Sequence, residues 1–210
     1  MNRKEHWENV YTTRSVTDVS WYQETPSISL HLIDRAGIEK DDPIIDVGGG
    51  ASVLVDFLLD RGFTDVSVLD IASAAIASAK NRLGARAAQA QWHEADVTAL
   101  RLGRKFKLWH DRAVFHFLRE AKDREAYIRN LDAHLAPDGY VIIATFSLNG
   151  PTKCSGLDIM QYDEESITLE FGEVLQLNGS VTETHITPSK KEQEFKYFCF
   201  TRRDSANPAA

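Results

Sequence analysis

The sequence predicts an α/β fold centred on a doubly wound sheet of seven mostly parallel strands. Short apolar runs alternate along the chain with longer segments in which apolar residues recur three and four positions apart. This alternation is typical of strands and helices wound into a parallel sheet that carries helices on both faces. The clearest such unit is residues 44–62, where an apolar strand, a glycine loop and a helical pattern follow one another.

Length and charge restrict the class of protein. The chain has 210 residues and a formal net charge of −7, so we expect one compact domain over 1–203 and no nucleic-acid partner. Residues 204–210 are small and polar, and we expect them to form a disordered tail. No apolar run reaches the ~18 residues of a membrane span, and the N-terminus does not resemble a secretory signal. Two cysteines without a disulfide framework favour the cytoplasm, and no metal site is predicted.

The first 36 residues are dense in aromatic side chains and are predicted to form a helical lid over 1–36. They are interpreted either as a helix packed on the core or as a cover for a bound ligand. Thr25 and Pro26 suit the N-cap and first position of a helix that ends at Gly37. The aromatic side chains of interest are Trp7, Tyr11, Trp21 and Tyr22.

The turn after the first strand is predicted to bind a ligand through its backbone. Residues 44–47 suit a buried strand, and the glycines that follow permit a close approach. A dinucleotide-binding loop needs a third glycine where Val53 stands. Asp46 would also repel a pyrophosphate, whereas it would attract a ligand with a cationic sulfonium and a free amine. The predicted cradle consists of Asp46, Gly48, Gly49, Gly50 and Ser52.

Two later strands are followed by acids. A strand over 66–70 ends in Asp70, about twenty residues beyond the glycine loop, where a carboxylate can accept hydrogen bonds from both hydroxyls of a ribose. Asp70 can also be the N-cap of the helix that follows, and the two roles are compatible. The third strand is predicted over 88–93, with Asp96 as the functional acid after it and Glu94 as the alternative.

Residues 106–118 are predicted to form the fourth strand and its exit, at the sheet edge where ligands bind. His110 and His116 are the candidates for a general base, because the ordinary pKa of histidine lies near neutrality. Either residue can instead be a structural histidine bonded to backbone. Arg112 is interpreted as a salt-bridge partner or as a cation that binds the acceptor.

The remaining chain completes the sheet. We expect a helix over 121–135, a strand over 140–146 and a short helix capped by Asp163. The last two strands are predicted at 173–177 and 194–201, with 184–188 in the loop between them. The loop after the fifth strand contributes Phe146 and Cys154, of which Cys154 is expected to line a pocket rather than to act as a nucleophile.

Several motifs resemble those of class I S-adenosylmethionine-dependent methyltransferases. D-V-G-G-G-A at 46–51 is similar to motif I, D-R-A-V-F-H at 111–116 to motif IV of the bacterial branch, and L-x-P-x-G at 135–139 to motif VI. H-W-x-x-x-Y at 6–11 with S-W-Y at 20–22 resembles a branch that includes elongation-factor lysine methyltransferases and many small bacterial methyltransferases. The resemblance runs from Trp7 to Arg202 and implies a Rossmann-like methyltransferase fold with an antiparallel last strand.

The resemblance implies S-adenosyl-L-methionine as the cofactor and assigns residues to it. Asp70 would bind the ribose and Ile71 would pack on the adenine, which Asp96 and the backbone of Val97 would also contact. Arg14 would pair with the carboxylate of the methionine end. The remaining implied contacts are Asp111 and Ala113 after the fourth strand, and Trp7, Tyr11 and Trp21 from the lid. The implied acceptor pocket consists of Trp21, Tyr22, Arg112, Phe146 and Cys154.

The predicted function is transfer of a methyl group to a nitrogen, oxygen or sulfur atom of a small-molecule acceptor by in-line displacement. A base is needed only for a protonated acceptor, and His116 is the first candidate, followed by His110. Two alternatives stay open: a protein-lysine N-methyltransferase, although residues 111–114 depart from the D-K-G-T of that branch, and a non-catalytic cofactor-binding module. The N-P-P-Y pattern of many adenine and amide N-methyltransferases is absent.

Overall fold

A computed structural model describes residues 2–203, so the predicted tail 204–210 lies outside the described residues. Its helices are α1 (Arg3–Thr13), α2 (Ser27–Arg35), α3 (Leu54–Asp60), α4 (Ser73–Leu83), α5 (Ala121–His134) and α6 (Glu164–Phe171). Its strands are β1 (Ile44–Val47), β2 (Val66–Asp70), β3 (Ala90–Glu94), β4 (Phe106–Arg112), β5 (Leu135–Phe146), β6 (Lys153–Cys154), β7 (Leu157–Asp158), β8 (Leu175–Ile186) and β9 (Glu192–Arg202).

The main sheet has seven strands in the order β3-β2-β1-β4-β5-β9-β8. The first five pair in parallel, whereas β9 pairs antiparallel with both β5 and β8. The predicted α/β class, the mostly parallel sheet and the antiparallel last strand are therefore confirmed. The strand order reverses beside β1, so the carboxyl ends of β1 and β4 form the crevice in which such sheets bind ligands.

Helices cover both faces of the sheet, and each face has its own apolar core. Ile44 faces the core formed with α2 and α3, whereas Ile45 faces the core formed with α5 and α6. The same alternation places Asp46 on the α2 face, in register with His110 of β4. Strand parity thus determines which polar side chains meet. None of the helices described over 2–203 is both long and apolar enough to cross a membrane.

Four segments differ from the sequence prediction. β5 begins at Leu135 rather than at Tyr140, so the predicted turn over 135–139 belongs to the strand. α2 begins at Ser27 rather than at Pro26, because a turn between the Ser27 N–H and the Thr25 carbonyl closes first. The loop predicted over 184–188 is wrong, since β8 continues to Ile186 and only a tight turn separates it from β9. The loop after β5 contains a small hairpin, β6–β7, that the sequence pattern did not indicate.

Candidate functional site

The glycine loop after β1 has no room for side chains. Gly48 has a φ of 72°, and a Cβ added to it would lie 2.1 Å from Cγ2 of Val114. A Cβ on Gly49 would lie 2.1 Å from Oδ2 of Asp46. The loop therefore forms a bare backbone surface at the end of β1.

Two adjoining cavities open above this loop. Cavity A is lined by Arg3, Trp7, Tyr11, Trp21, Val47, Gly48, Leu69, Asp70, Ile71, Ala95, Asp96, Val97, Arg112, Ala113, Val114, Phe117 and Leu118. Cavity B is lined by Tyr11, Val16, Val19, Trp21, Tyr22, Gln23, Pro26, Ser29, Asp46, Val47, Gly48, Gly49, Ala51, Ser52, Val53, Leu54, His110 and Arg112. Five residues line both cavities, which shows that the cavities adjoin: Tyr11, Trp21, Val47, Gly48 and Arg112.

Asp70 ends β2 with its carboxylate bound to two backbone N–H groups. Its Oδ2 lies 3.0 Å from the Gly50 nitrogen, and its Oδ1 lies 2.8 Å from the Ala72 nitrogen. Asp70 is 6% exposed and lines cavity A. Burial raises the pKa of Asp70 to about 6, although the N–H donors of Ala72 and Gly50 oppose this shift. The carboxylate is ionised at neutral pH and retains lone pairs for further donors.

Asp96 begins a short turn at the opposite side of cavity A. Its Oδ1 accepts from the backbone N–H and the hydroxyl of Thr98, at 2.9 and 2.7 Å. Its Oδ2 lies 3.6 Å from Nη1 of Arg3 on α1. Asp96, Val97 and Ile71 all line the cavity, as predicted, whereas the contribution of Arg3 was not indicated by any motif.

Aromatic side chains cover the site. The Trp7 ring lies 5.6 Å from the Trp21 ring and 5.0 Å from the Phe117 ring, both in edge-to-face geometry. Tyr11 lies 6.3 Å from both tryptophans. The first three come from the N-terminal segment and Phe117 from the turn after β4, so the cover joins two distant parts of the chain.

The segment after α1 is held to the sheet by three hydrogen bonds. His185 Nε2 donates to the Ser20 carbonyl at 2.8 Å. Arg112 Nη1 donates to the Trp21 carbonyl at 2.9 Å. Gln23 Nε2 donates to Oε1 of Glu183 at 2.8 Å. Residues 21–23 line cavity B, so these bonds fix part of its wall.

Asp46, His110 and Ser29 form a buried chain of hydrogen bonds beneath cavity B. His110 Nδ1 lies 2.7 Å from Oδ1 of Asp46, and Nε2 lies 2.9 Å from the Ser29 hydroxyl. All three residues are at most 3% exposed. Oδ2 of Asp46 has no hydrogen-bond partner among the described residues. A buried carboxylate oxygen with free acceptor capacity is suited to a cationic or N–H donor group of a ligand.

Asp111 stabilises a strained turn at the exit of β4. Ala113 has a φ of 73°, in the left-handed region that disfavours side chains. The Asp111 carboxylate accepts from the N–H groups of Val114 and Phe115, at 2.8 and 3.1 Å, and from the Tyr127 hydroxyl at 2.7 Å. Its side chain therefore faces α5 rather than either cavity, which corrects the implied cofactor contact. Ala113 does line cavity A.

His116 is fully buried, directly behind the wall of cavity A. Neither ring nitrogen has a hydrogen-bond partner in residues 2–203, and the ring lies 4.4 Å from the Phe117 ring and 5.1 Å from the Phe146 ring. Burial, with a further contribution from the Arg112 charge, lowers the pKa of His116 to about 3. A histidine with this pKa is neutral at physiological pH and is a weak base. Cys154 is also buried, which raises the pKa of its thiol to about 12.

The structure brings most predicted site residues to the cavities. Those that line them are Trp7, Tyr11, Trp21, Tyr22, Asp46, Gly48, Gly49, Ser52, Asp70, Ile71, Asp96, Val97, His110, Arg112 and Ala113. Those that do not are Gly50, Asp111, His116, Phe146 and Cys154, which are buried, and Arg14, which is exposed after α1. Ser29, Gln23 and Phe117 line the cavities but were not predicted; the S-W-Y motif beside Gln23 was the nearest signal.

A family model and a curated relative both relate this chain to methyltransferases. Residues 44–139 match the family described as "Methyltransferase domain". The curated eEF1A lysine and N-terminal methyltransferase of Mus musculus is 25% identical over 139 residues, which is 66% of this chain but 20% of the mouse protein. This chain therefore spans about a fifth of that relative.

Two solved structures share the whole fold. N-methyltransferase NodS from Bradyrhizobium japonicum WM9, in complex with S-adenosyl-L-homocysteine, has a TM-score of 0.71 at 16% identity, covering 97% of this chain and 100% of that one. Burkholderia thailandensis 1,6-didemethyltoxoflavin-N1-methyltransferase, with bound 1,6-didemethyltoxoflavin and S-adenosylhomocysteine, has a TM-score of 0.69 at 16% identity, covering 96% and 84%. At such identities the likeness concerns the fold.

Proposed function

We propose that this chain, a class I S-adenosylmethionine-dependent methyltransferase by its domain match and fold, methylates a nitrogen, oxygen or sulfur atom of a small-molecule acceptor. The observation that carries the proposal is the pair of adjoining cavities between the glycine loop and the aromatic cover. A nitrogen acceptor is one option, because two of the solved structures with this fold are N-methyltransferases.

The residues present fit the methionine end of the cofactor. Gly48 and Gly49 leave a cradle that a Cβ would fill. The free Oδ2 of Asp46 is suited to the amino group, and His110 and Ser29 fix the orientation of that carboxylate. The negative charge of Asp46 also favours a sulfonium cation nearby.

The residues also fit the nucleoside end. Asp70 would accept hydrogen bonds from the ribose hydroxyls, since its two backbone donors leave lone pairs free. Ile71 and Val97 offer apolar surface to the adenine, with Asp96 as an acceptor for its exocyclic amine. Arg14 is a weaker candidate for the carboxylate, because it is exposed outside both cavities.

The bound cofactor would supply an already activated methyl group on its sulfonium. The protein's own contribution is then to hold the acceptor in line and to exclude water. Positioning of this kind is worth on the order of 7–11 kcal/mol. Trp7, Trp21 and Phe117 provide the apolar walls and the cover. His116 is buried outside the cavities and is a weak base. An acceptor that arrives unprotonated is therefore favoured.

Two experiments test the proposal. Calorimetry should detect binding of S-adenosyl-L-homocysteine to the purified protein. Incubation of the protein with methyl-labelled cofactor and cell extract should then transfer label to the small-molecule fraction. Failure of the nucleoside to bind would refute the methyltransferase assignment.

A protein-lysine N-methyltransferase is the second candidate, and the mouse relative together with the H-W-x-x-x-Y motif supports it. The labelling experiment separates the two, since label in the protein fraction would favour this alternative. Nucleoside binding without label in either fraction would favour a non-catalytic cofactor-binding module.

A further inference from the structure

Two buried polar side chains near the end of β4 have unused hydrogen-bonding groups. Both ring nitrogens of His116 and the Nη2 of Arg112 have no hydrogen-bond partner within the described part of the chain. His116 is 0% exposed and the Arg112 side chain is 11% exposed. Buried polar groups are almost always hydrogen-bonded, and leaving one unpaired is costly. Three unpaired nitrogens on two neighbouring side chains therefore require an explanation.

Arg112 is rigidly held with its third nitrogen free. Nε donates to the Tyr197 hydroxyl and Nη1 to the Trp21 carbonyl, both at 2.9 Å. The guanidinium lies 4.4 Å from the centre of the Phe195 ring. Tyr197 and Phe195 belong to β9, so the side chain extends over β5 to β9, away from β1 and the glycine loop. Its free donor thus lies toward β9, to one side of the glycine loop, and Arg112 lines both cavities.

The acid nearest to Arg112 does not use this donor. Oε2 of Glu183 lies 3.7 Å from Nη2, beyond hydrogen-bond distance. Oε2 instead accepts from the Tyr197 hydroxyl at 2.9 Å, and Oε1 accepts from Gln23 at 2.8 Å. Glu183 therefore reduces the cost of burying the Arg112 charge without occupying Nη2.

His116 adds a neutral donor to the aromatic cluster that holds this cation. The His116 ring lies 5.1 Å from the Phe146 ring, and the Phe146 ring lies 4.5 Å from the Phe195 ring, over which the Arg112 guanidinium is placed. The Arg112 charge also contributes to the lowered pKa of His116, after burial. The neutral ring carries one N–H donor and one acceptor nitrogen. Its backbone is fixed by a hydrogen bond from the Met160 N–H to the His116 carbonyl, at 2.8 Å. Phe117 lines cavity A and contacts the His116 ring, so it lies between that ring and the cavity.

We propose that Arg112 and His116 together bind a carboxylate of the methyl acceptor, and that the acceptor is a planar aromatic or heteroaromatic acid. A guanidinium with a free N–H matches a carboxylate oxygen, and the imidazole N–H can donate to the other oxygen. Phe117 offers a flat apolar surface in cavity A beside His116, and the buried rings of Phe146 and Phe195 contact His116 and Arg112 respectively. This inference rests on the proposed function, since it assigns the class of its substrate.

The experiment uses the full chain saturated with S-adenosyl-L-homocysteine and benzoate as the probe, with benzylamine and benzamide as controls of similar size. Nuclear magnetic resonance titrations at neutral pH report the dissociation constants and the ring ¹⁵N shifts of His116. We expect benzoate to bind, to displace the His116 nitrogen shifts and to bind at least ten times more tightly than either control. Arg112→Gln and His116→Phe should each weaken benzoate at least tenfold. Arg112→Lys should recover part of that loss, and Arg101→Gln, at an exposed arginine, should change nothing.

Each remaining outcome overturns the inference. Absence of benzoate binding, or equal binding of benzoate and benzylamine, would exclude a carboxylate site. A further arm tests whether the cofactor's own carboxylate is the partner. If Arg112→Gln weakens S-adenosyl-L-homocysteine but not 5′-methylthioadenosine, which lacks that carboxylate, Arg112 serves the cofactor instead. If the unaltered protein does not bind S-adenosyl-L-homocysteine, the proposed function is refuted as well. If it binds S-adenosyl-L-homocysteine but not benzoate, only this inference is refuted.

Discussion

Glu8 on α1 caps the N-terminus of α4 at Ser73. Its Oε1 lies 2.7 Å from the Ser73 nitrogen and 2.8 Å from the Ser73 hydroxyl, and its Oε2 lies 3.0 Å from the Ala74 nitrogen. A carboxylate at a helix N-terminus satisfies free N–H groups and interacts favourably with the helix dipole. This contact fixes the helix that carries Trp7 and Tyr11 over cavity A.

Glu8→Ala should accelerate release of the nucleoside. Loss of a charge-assisted cap of about 1.4 kcal/mol corresponds to a roughly tenfold change in rate or affinity. Stopped-flow measurement of S-adenosyl-L-homocysteine dissociation should show this increase, and Glu5→Ala, at an exposed site on the same helix, should not. Equal dissociation rates in the two variants would mean that α1 does not restrain the ligand.

Asp70 should make nucleoside binding depend on pH. The raised pKa of about 6 means that the carboxylate becomes protonated below this value and can no longer accept from both ribose hydroxyls. We expect the affinity for S-adenosyl-L-homocysteine to be constant above pH 7 and to fall by about tenfold per pH unit well below pH 6. Calorimetry from pH 5 to 8 measures this effect.

The matched variant is Asp70→Asn, which keeps an acceptor oxygen but does not titrate. It should bind more weakly at pH 7.5, by about 1.5–3 kcal/mol for the lost charged hydrogen bonds, and its affinity should not change with pH. A dissociation constant equal to that of the unaltered protein would remove Asp70 from the site.

Asp111→Asn should destabilise the fold more than it weakens ligand binding. The amide cannot accept from Val114, Phe115 and Tyr127 together, and the strained φ of Ala113 then loses its support. We expect a loss of about 2–3 kcal/mol in the free energy of unfolding, measured by urea titration. A variant with unchanged stability but impaired nucleoside binding would show that Asp111 contacts the ligand directly.

His116→Phe should stabilise the protein without ligands. The substitution removes two unpaired buried nitrogens and keeps a ring of similar shape, which we expect to add about 1–3 kcal/mol to the free energy of unfolding. A lower stability would show that the nitrogens are paired in solution.

The pH dependence of stability gives a second test of His116. Its pKa is about 3 in the folded protein and 6.5 ordinarily, so the unfolded chain binds the additional proton. The contribution to stability is complete above pH 6.5 and is lost progressively as the pH falls toward 3. His116→Phe should therefore remove part of the acid sensitivity seen in thermal unfolding between pH 7 and 5, whereas the exposed His31→Gln should not.

Local patterns were sufficient for the fold and for the grouping of the glycine loop, Asp46 and Asp70 around the cavities. The glycine loop, Asp46 and Asp70 follow the ends of adjacent strands, so sequence spacing alone predicts that they lie together. The partners that orient them could not be predicted in this way. Ser29 reaches His110 across 81 positions, and Gln23 reaches Glu183 across 160. Such contacts depend on strand register and lid placement, which no local pattern encodes.

The two site residues on β4 illustrate the same limit. Alternation predicts that His110 and Arg112 share a face, but not that Asp111 lies opposite against Tyr127. The burial of His116 follows from the Ala113 turn, whose left-handed conformation is unexpected for alanine. His116, the first candidate for the general base, was therefore expected to face an open pocket. The structure buries it completely.

The position of His110 and Arg112 on one strand has a consequence for substrate size. Consecutive side chains on the same face of a strand are separated by about 6.5–7 Å along its axis, and hydrogen bonds on both sides make that spacing inflexible. The strand thus fixes the separation between His110, which orients Asp46, and Arg112, which carries the free donor. If Asp46 holds the cofactor and Arg112 holds the acceptor, an acceptor whose nucleophile lies at the wrong distance from its charged end cannot reach the methyl group. Molecular length should therefore discriminate among candidates that carry the same charged group.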